Sequence, residues 1–357
     1  MEMEAKVKFG SSLLVPCVQE LAKENQVTIP ERYIRPDQVE SLLHKPTNTH
    51  GIPVIDMHML LSPESVHSNS ELAILHSASK EWGFFQLVNH GVSSALMEKV
   101  KKSVQDFFNL PMEEKQKFWQ RPGEVEGFGQ AFVVSEEQKL DWGDIFFLTT
   151  YPVHERKPHL FPKLPLPFRE NLDAYSTELH GLAMTILLLM GKALNIGEEE
   201  MREYFEGGFQ SMRMNYYPPC PQPEKVIGLT PHSDAVALTL LLQLNEVGGL
   251  QIRKDGEWIP VKPLPDAFIV NIGDILEIIS NGIYRSIEHR ATVNSEKERL
   301  SVAAFFSPRF SGYVGPASSL VTDHTPALFK TVTTEEYFKG LFARELGGKS
   351  YLDAMRI

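Results

Sequence analysis

Two hydrophobic rhythms divide the chain. Over much of the first half, apolar residues recur every three or four positions, the spacing of one helical face. Leu72, Leu75, Ser79 and Trp82 share such a face, and Gly83 ends that helix. Leu96, Val100, Val104 and Phe107 predict a second amphipathic helix. The stripe of Leu172, Tyr175, Leu179, Ala183, Ile186 and Met190 predicts a long helix from Leu172 to Leu194. Short strands are expected at 52–56 and 84–89, the latter stopped by His90-Gly91. In residues 1–50, Pro30, Pro36 and Pro46 break any long element and leave a short helix and an extended arm.

Beyond about residue 210 the rhythm changes. Short β-branched and aromatic runs alternate with Pro, Gly, Asn and Asp: 212–217, 238–244, 250–252, 258–261, 268–272 and 300–306. Lys254-Asp255-Gly256-Glu257 reads as a hairpin turn between two of them. Many short antiparallel strands after a helical preface predict a mainly β fold with α, a sandwich or jelly roll with helices on the outside.

Composition narrows the function classes. The 357 residues are 42% hydrophobic and 23% charged, which excludes a disordered or coiled-coil chain. A net charge of −11 argues against a nucleic-acid partner. Two cysteines exclude a disulfide framework and a four-cysteine zinc site, and suit a reducing compartment. The N-terminus lacks the apolar run of a signal peptide, and no stretch reaches the length of a membrane span. A soluble cytoplasmic protein with no membrane partner is expected.

Pro231-His232-Ser233-Asp234 carries the chemistry. In an extended chain, residues two apart point to one face, so His232 and Asp234 can reach one ion together. His289 lies further on, and two imidazoles with one carboxylate are the facial triad of non-haem Fe(II). Arg299-Leu300-Ser301 follows, with Arg299 and Ser301 again on one face of a strand. A guanidinium fork beside a hydroxyl is suited to holding the far carboxylate of a dicarboxylate. Asn215-Tyr216-Tyr217 precedes the metal pair, and Tyr217 adds a phenol donor. A zinc hydrolase with the same three ligands would leave Arg299 and Ser301 unexplained. His90 reads as a structural histidine.

In Ile52–Asp56, Glu81–Gly91, Asn215–Pro221, His232-Ser233-Asp234, His289 and Arg299-Leu300-Ser301, the chain resembles the plant 2-oxoglutarate- and Fe(II)-dependent dioxygenases. The runs Phe118–Pro122, Glu126–Phe132, Lys139–Trp142 and Arg213–Tyr217 are most similar to the senescence-related group, which is related to alkaloid O-demethylases. The resemblance implies a double-stranded β-helix (jelly roll) core with flanking helices and a helical N-terminal region. It implies an arm at 1–50, an N-terminal dioxygenase region at 51–165, a long helix and connection at 166–206, a catalytic core at 207–309 and a C-terminal helical segment at 310–357.

The same resemblance implies Fe(II) on His232, Asp234 and His289, and 2-oxoglutarate held by Arg299, Ser301 and Tyr217 with Asn215 near its other end. O₂ is then the oxidant and ascorbate the expected reductant. Substrate contacts are implied at Phe128, Phe132, Asp144, Phe147, Arg213, Phe305 and Phe306. The implied activity is hydroxylation or O-demethylation of a small aromatic or polycyclic plant metabolite (alkaloid-like, phenolic or indolic) by a monomer, with release of succinate and CO₂. Three alternatives stay open: a flavonoid-type hydroxylase or desaturase, an oxidase of the ethylene-forming branch, and a non-catalytic ligand-binding relative. Ser307 stands where many flavonoid-oxidising members carry an acid, which weighs against flavonoids.

Overall fold

The structure is a computed structural model that describes residues 12–23, 28–38, 51–130, 133–343 and 347–357. The strands, in chain order, are β1 (Val54–Asp56), β2 (Phe84–Val88), β3 (Gly127–Gly129), β4 (Asp144–Tyr151), β5 (Phe209–Tyr217), β6 (Leu229–His232), β7 (Leu238–Gln243), β8 (Leu250–Lys254), β9 (Glu257–Pro260), β10 (Phe268–Ile272), β11 (His289–Ala291), β12 (Arg299–Ser307), β13 (Tyr313–Val314) and β14 (Val332–Thr333). Eight of them form one sheet in the order β1-β2-β10-β7-β12-β5-β4-β3, and β6-β11-β8-β9 form a second. Ile252 and Ile259 of the second sheet pack against Phe84 and Ile269 of the first, so an apolar layer joins the two. This is the expected jelly roll.

The helices are α1 (Val18–Lys23), α2 (Met57–Leu60), α3 (Ser65–Glu81), α4 (Ser94–Phe108), α5 (Met112–Lys115), α6 (Phe168–Ala193), α7 (Glu198–Phe205), α8 (Asp274–Ile279), α9 (Thr334–Phe342) and α10 (Ser350–Met355). The predicted stripe on α6 is buried along its length, from Leu172 through Leu179 to Met190. It lies in the same core cluster as the α4 face and the outward side chains of the large sheet. Phe107 of α4 stacks on Phe146 of β4 with ring centres 4.5 Å apart. Each such buried ring contributes roughly 1.5–3 kcal/mol of burial free energy.

Strands β1 to β4, from the first half, share one sheet with β5, β7, β10 and β12, so the helical half and the strand-rich half are one body. Strand β4 was not anticipated. Its Ile145-Phe146-Phe147-Leu148 run is apolar on both faces, one packed against the helices and the other lining the interior of the roll, and so lacks the apolar–polar alternation that marks a half-exposed strand.

Strand alternation decides what faces the interior of the roll. On β12, Leu300, Val302, Ala304 and Phe306 join the helix-facing core, which turns Arg299, Ser301 and Phe305 the other way. On β5, Met212, Met214 and Tyr216 face the helices and leave Arg213, Asn215 and Tyr217 inward. The antiparallel register sets Arg299 opposite Tyr217 and Ser301 opposite Asn215.

Candidate metal and co-substrate site

His232 ends β6 and His289 begins β11, and the two are directly paired across those strands. Pairing puts both rings on one face, with centres 4.3 Å apart. His232 Nδ1 lies 2.8 Å from Thr230 O, and His289 Nδ1 lies 3.2 Å from Ile287 O. A carbonyl can only accept, so Nδ1 carries the proton in each ring and the Nε2 lone pair is left free. Both Nε2 atoms converge on Asp234 Oδ1, at 3.5 and 3.6 Å. The other carboxylate oxygen, Oδ2, accepts hydrogen bonds from Thr239 Oγ1 at 2.6 Å and Asn271 Nδ2 at 2.8 Å. That arrangement fixes the carboxylate and reserves Oδ1 for the cluster. One donor atom from each of the three residues lies within 4.8 Å of the others, the span of a metal site.

Electrostatics agree with this geometry. Burial alone would raise the Asp234 carboxyl, but His289, His232 and the Asn271 amide hold it well below the usual carboxylate range. Burial, with His232 beside it, pushes His289 down to about 4, so its imidazole is neutral at physiological pH. Two imidazole nitrogens and one carboxylate oxygen are the donor set that Fe(II) takes while leaving positions open.

Deeper in the roll lies a second polar group. Arg299 is 2% exposed, stands 5.3 Å over the Tyr217 ring and donates to Gln243 Oε1 at 3.2 Å. Its Nε has no hydrogen-bond partner, and no carboxylate pairs with it among the described residues. Burial works against its charge. A buried guanidinium without an anion is the feature a ligand carboxylate completes. Asn215 Nδ2 donates to Ser301 Oγ at 3.2 Å, and Asn215 Oδ1 has no partner among the described residues. The Tyr217 ring sits between two glycines: a Cβ at Gly143 or Gly228 would come within 2.8 or 2.9 Å of its Cδ1. Leu229 of β6 and Ala291 of β11 pack on the same ring, tying this group to the strands that bear the histidines.

A cavity of about 1350 Å³ opens over His232 and Asp234. Phe147, Arg213 and Phe305, three of the expected substrate contacts, lie on its wall. Phe128, Asp144 and Phe306 do not. Strand alternation is the physical reason. Phe128 pairs with Phe146 and so faces the helices, where its ring packs on Phe107 and under the Lys115 ammonium. Phe306 is one residue out of step with Phe305 and lies in the helix-facing core. Asp144 also faces away, and accepts from the backbone N–H groups of Val18 at 2.9 Å and Gln19 at 2.7 Å. It ties α1 to the body. Phe132 lies outside the described residues. His90 contacts the Asp266 carbonyl at 2.9 Å and packs on Phe268, a structural position away from the triad.

Sequence reasoning missed several contributors. Thr239 and Asn271 stand inside apolar runs, and a buried polar residue in such a run was the available signal. Gln243, at the end of β7, had none. Thr149 and Tyr151 of β4 line the cavity, as do Phe338, Leu341 and Phe342 from the C-terminal segment. Among the described residues no helix is long and apolar enough to cross a membrane.

Comparison with known proteins places this geometry. Residues 208–308 match the 2OG-Fe(II) oxygenase superfamily, and residues 52–164 match the non-haem dioxygenase in morphine synthesis N-terminal family. The chain is 60% identical to protein SRG1 of Arabidopsis thaliana, over 99% of this chain and all of that one. It is 58% identical to the oxoglutarate-dependent flavonoid 7-O-demethylase 1 of Ocimum basilicum, over 100% of this chain and 95% of that one. It is 54% identical to codeine O-demethylase of Papaver somniferum, over the full length of both. Among solved structures, JOX2 in complex with 2OG, Fe and JA superposes with a TM-score of 0.88 at 37% identity, covering 98% of this chain and 99% of that one. The chain is therefore a member of the 2OG-Fe(II) oxygenase superfamily, in its senescence-related and O-demethylase branch, and a 2-oxoglutarate-dependent dioxygenase.

Proposed function

We propose that the protein removes an O-methyl group from a small methoxylated aromatic or polycyclic compound. The overall reaction is R–OCH₃ + O₂ + 2-oxoglutarate → R–OH + formaldehyde + succinate + CO₂, which balances without a further reductant. Ascorbate serves to keep the iron reduced. The observation that carries this reading is the cavity over His232 and Asp234. Phe147, Phe209, Phe305 and Phe310 give it aromatic walls, and Arg213 Nε has no hydrogen-bond partner among the described residues. Aromatic walls suit a flat ligand, and a guanidinium orients one that bears a phenolic, carbonyl or carboxylate oxygen. The O-demethylases among the relatives favour loss of the methyl group over hydroxylation of the ring.

His232, Asp234 and His289 would hold the iron, which supplies dioxygen activation and redox chemistry when bound. Every other task falls to the chain. Thr239 and Asn271 keep the Asp234 carboxylate turned toward the histidines. Arg299 and Ser301 take the far carboxylate of 2-oxoglutarate, and Tyr217 packs under the guanidinium to exclude water. Phe147 and Phe305, with ring centres 6.5 Å apart, clamp the substrate while Arg213 fixes which methyl group is presented. A cytoplasmic monomer fits this role, with Cys17 and Cys220 as free thiols.

The test is incubation with Fe(II), 2-oxoglutarate, ascorbate and a panel of methoxylated flavones and alkaloids. The expected result is loss of one CH₂ from a substrate, with formaldehyde and succinate formed in equal amounts. A product gaining one oxygen would make the enzyme a hydroxylase. No succinate above background with any substrate would favour the non-catalytic alternative.

A further inference from the structure

The last described segment runs against the metal triad. The Gly348 N–H donates to Pro231 O at 2.9 Å, and the Ser233 N–H donates to Gly348 O at 3.1 Å, a parallel bridge centred on His232. Gly348 holds φ at +51°, a conformation that side chains other than glycine rarely adopt. The next residue turns to the other ligand. Lys349 Nζ donates to Ser286 O at 2.7 Å and to Glu277 Oε2 at 2.9 Å. Glu277 is 4% exposed, and its carboxylate also accepts from the Ser286 N–H at 2.7 Å and from Arg356 Nη2 at 3.2 Å. Ser286 lies three residues before His289.

Two consecutive residues thus grip both segments that carry the histidines. Helix α8, which supplies Glu277, also reaches the third ligand: the Asp274 N–H donates to Asp234 O at 2.7 Å. Gly273 permits that approach, since a Cβ there would lie 2.0 Å from Val236 O. Leu352 and Met355 anchor the following helix in the main core, so the grip is not needed to hold the C-terminus down.

We propose that Gly348 and Lys349 form a brace that sets the spacing of His232 and His289, and through it the affinity for the metal. Both are positioning residues, and the C-terminal segment is the outer wall of the metal site. The proposal rests on the reading of the triad as a metal site, and the experiment separates the two.

The experiment measures Mn(II) affinity of the full-length protein in the absence of substrate. Lys349→Met is expected to weaken binding about tenfold, the usual effect of losing a partner that orients a ligand, and Lys349→Arg to restore most of it. Gly348→Pro changes no charge but removes the donor to Pro231 and, because proline cannot hold φ at +51°, displaces the whole bridge, and is expected to weaken binding at least comparably. Asp234→Ala tests the underlying reading: unchanged affinity there would remove the metal site itself. Loss of binding in Asp234→Ala alongside wild-type affinity in Lys349→Met would overturn the brace alone. Coupling is reciprocal, so Mn(II) must also slow hydrogen exchange at the Gly348 and Ser233 amides of the unaltered protein. Exchange unaffected by the metal would overturn the brace even if the variants failed to fold.

Discussion

Replacing Arg299 with lysine tests the co-substrate anchor most directly. The guanidinium spends one nitrogen on Gln243 Oε1, lies over the Tyr217 ring and keeps Nε without a partner. A fork in that position can give two parallel hydrogen bonds to a carboxylate while keeping the Gln243 bond. A lysine ammonium must divide three donors among the same partners and loses the planar match. Loss of one charge-assisted bond costs about 1.5–3 kcal/mol, a fall of roughly 10- to 150-fold in affinity for 2-oxoglutarate. Ser301→Ala removes a neutral partner and should cost about 0.5–1.5 kcal/mol, at most roughly tenfold. The assay is calorimetric titration of 2-oxoglutarate into Mn(II)-loaded protein, paired with steady-state KM. Mn(II) affinity should stay at the wild-type level, because Arg299 touches none of the three ligands. Wild-type 2-oxoglutarate affinity in Arg299→Lys would refute the anchor. An equal loss of metal affinity would recast Arg299 as a structural residue.

Other expectations follow from the packing. Asp144→Ala leaves the buried N–H groups of Val18 and Gln19 without an acceptor, at about 1–3 kcal/mol each. Limited proteolysis should then release the N-terminal segment while turnover is kept, and the reverse pattern would return Asp144 to the substrate site. Phe107 meets Phe108, Phe118, Phe128, Phe146 and Phe168, and Phe107→Ala should cost about 3–5 kcal/mol in urea unfolding. Burial raises the Asp274 carboxyl from 3.8 to about 7, so the folded state binds the proton more tightly than the unfolded chain does. Stability should fall as pH rises from about 4 to about 7, and Asp274→Asn should flatten that slope; an unchanged slope would place its origin elsewhere.

Much of this was legible in the sequence, because the chemistry sits in residue types that have few other uses together. A His-x-Asp pair, a distant histidine and an Arg-x-Ser on strands name the ion and the dicarboxylate before any coordinates. The substrate wall was less legible. Naming both Phe305 and Phe306 overlooked that neighbours on a strand face opposite ways, and the same oversight put Phe128 and Asp144 on the wrong side. Strand β4 went unseen because apolar residues on both of its faces, core and cavity wall alike, erase the alternation that announces a strand. Thr239, Asn271 and Gln243 are ordinary polar residues whose meaning comes from partners far along the chain. Local pattern carries no trace of such pairings.

The two-sidedness of β5 and β12 bears on how such an enzyme could acquire new substrates. Positions 211, 213, 305 and 307 border the cavity and leave the helix-facing layer untouched, whereas 212, 214, 304 and 306 are locked into it. If the cavity is the substrate pocket proposed above, changes at the first set are expected to alter which molecule is accepted with little penalty in folding, and changes at the second to spend stability without touching selectivity. A small combinatorial library confined to those four cavity positions would therefore explore specificity while the scaffold and the ligand-bearing strands stay constant.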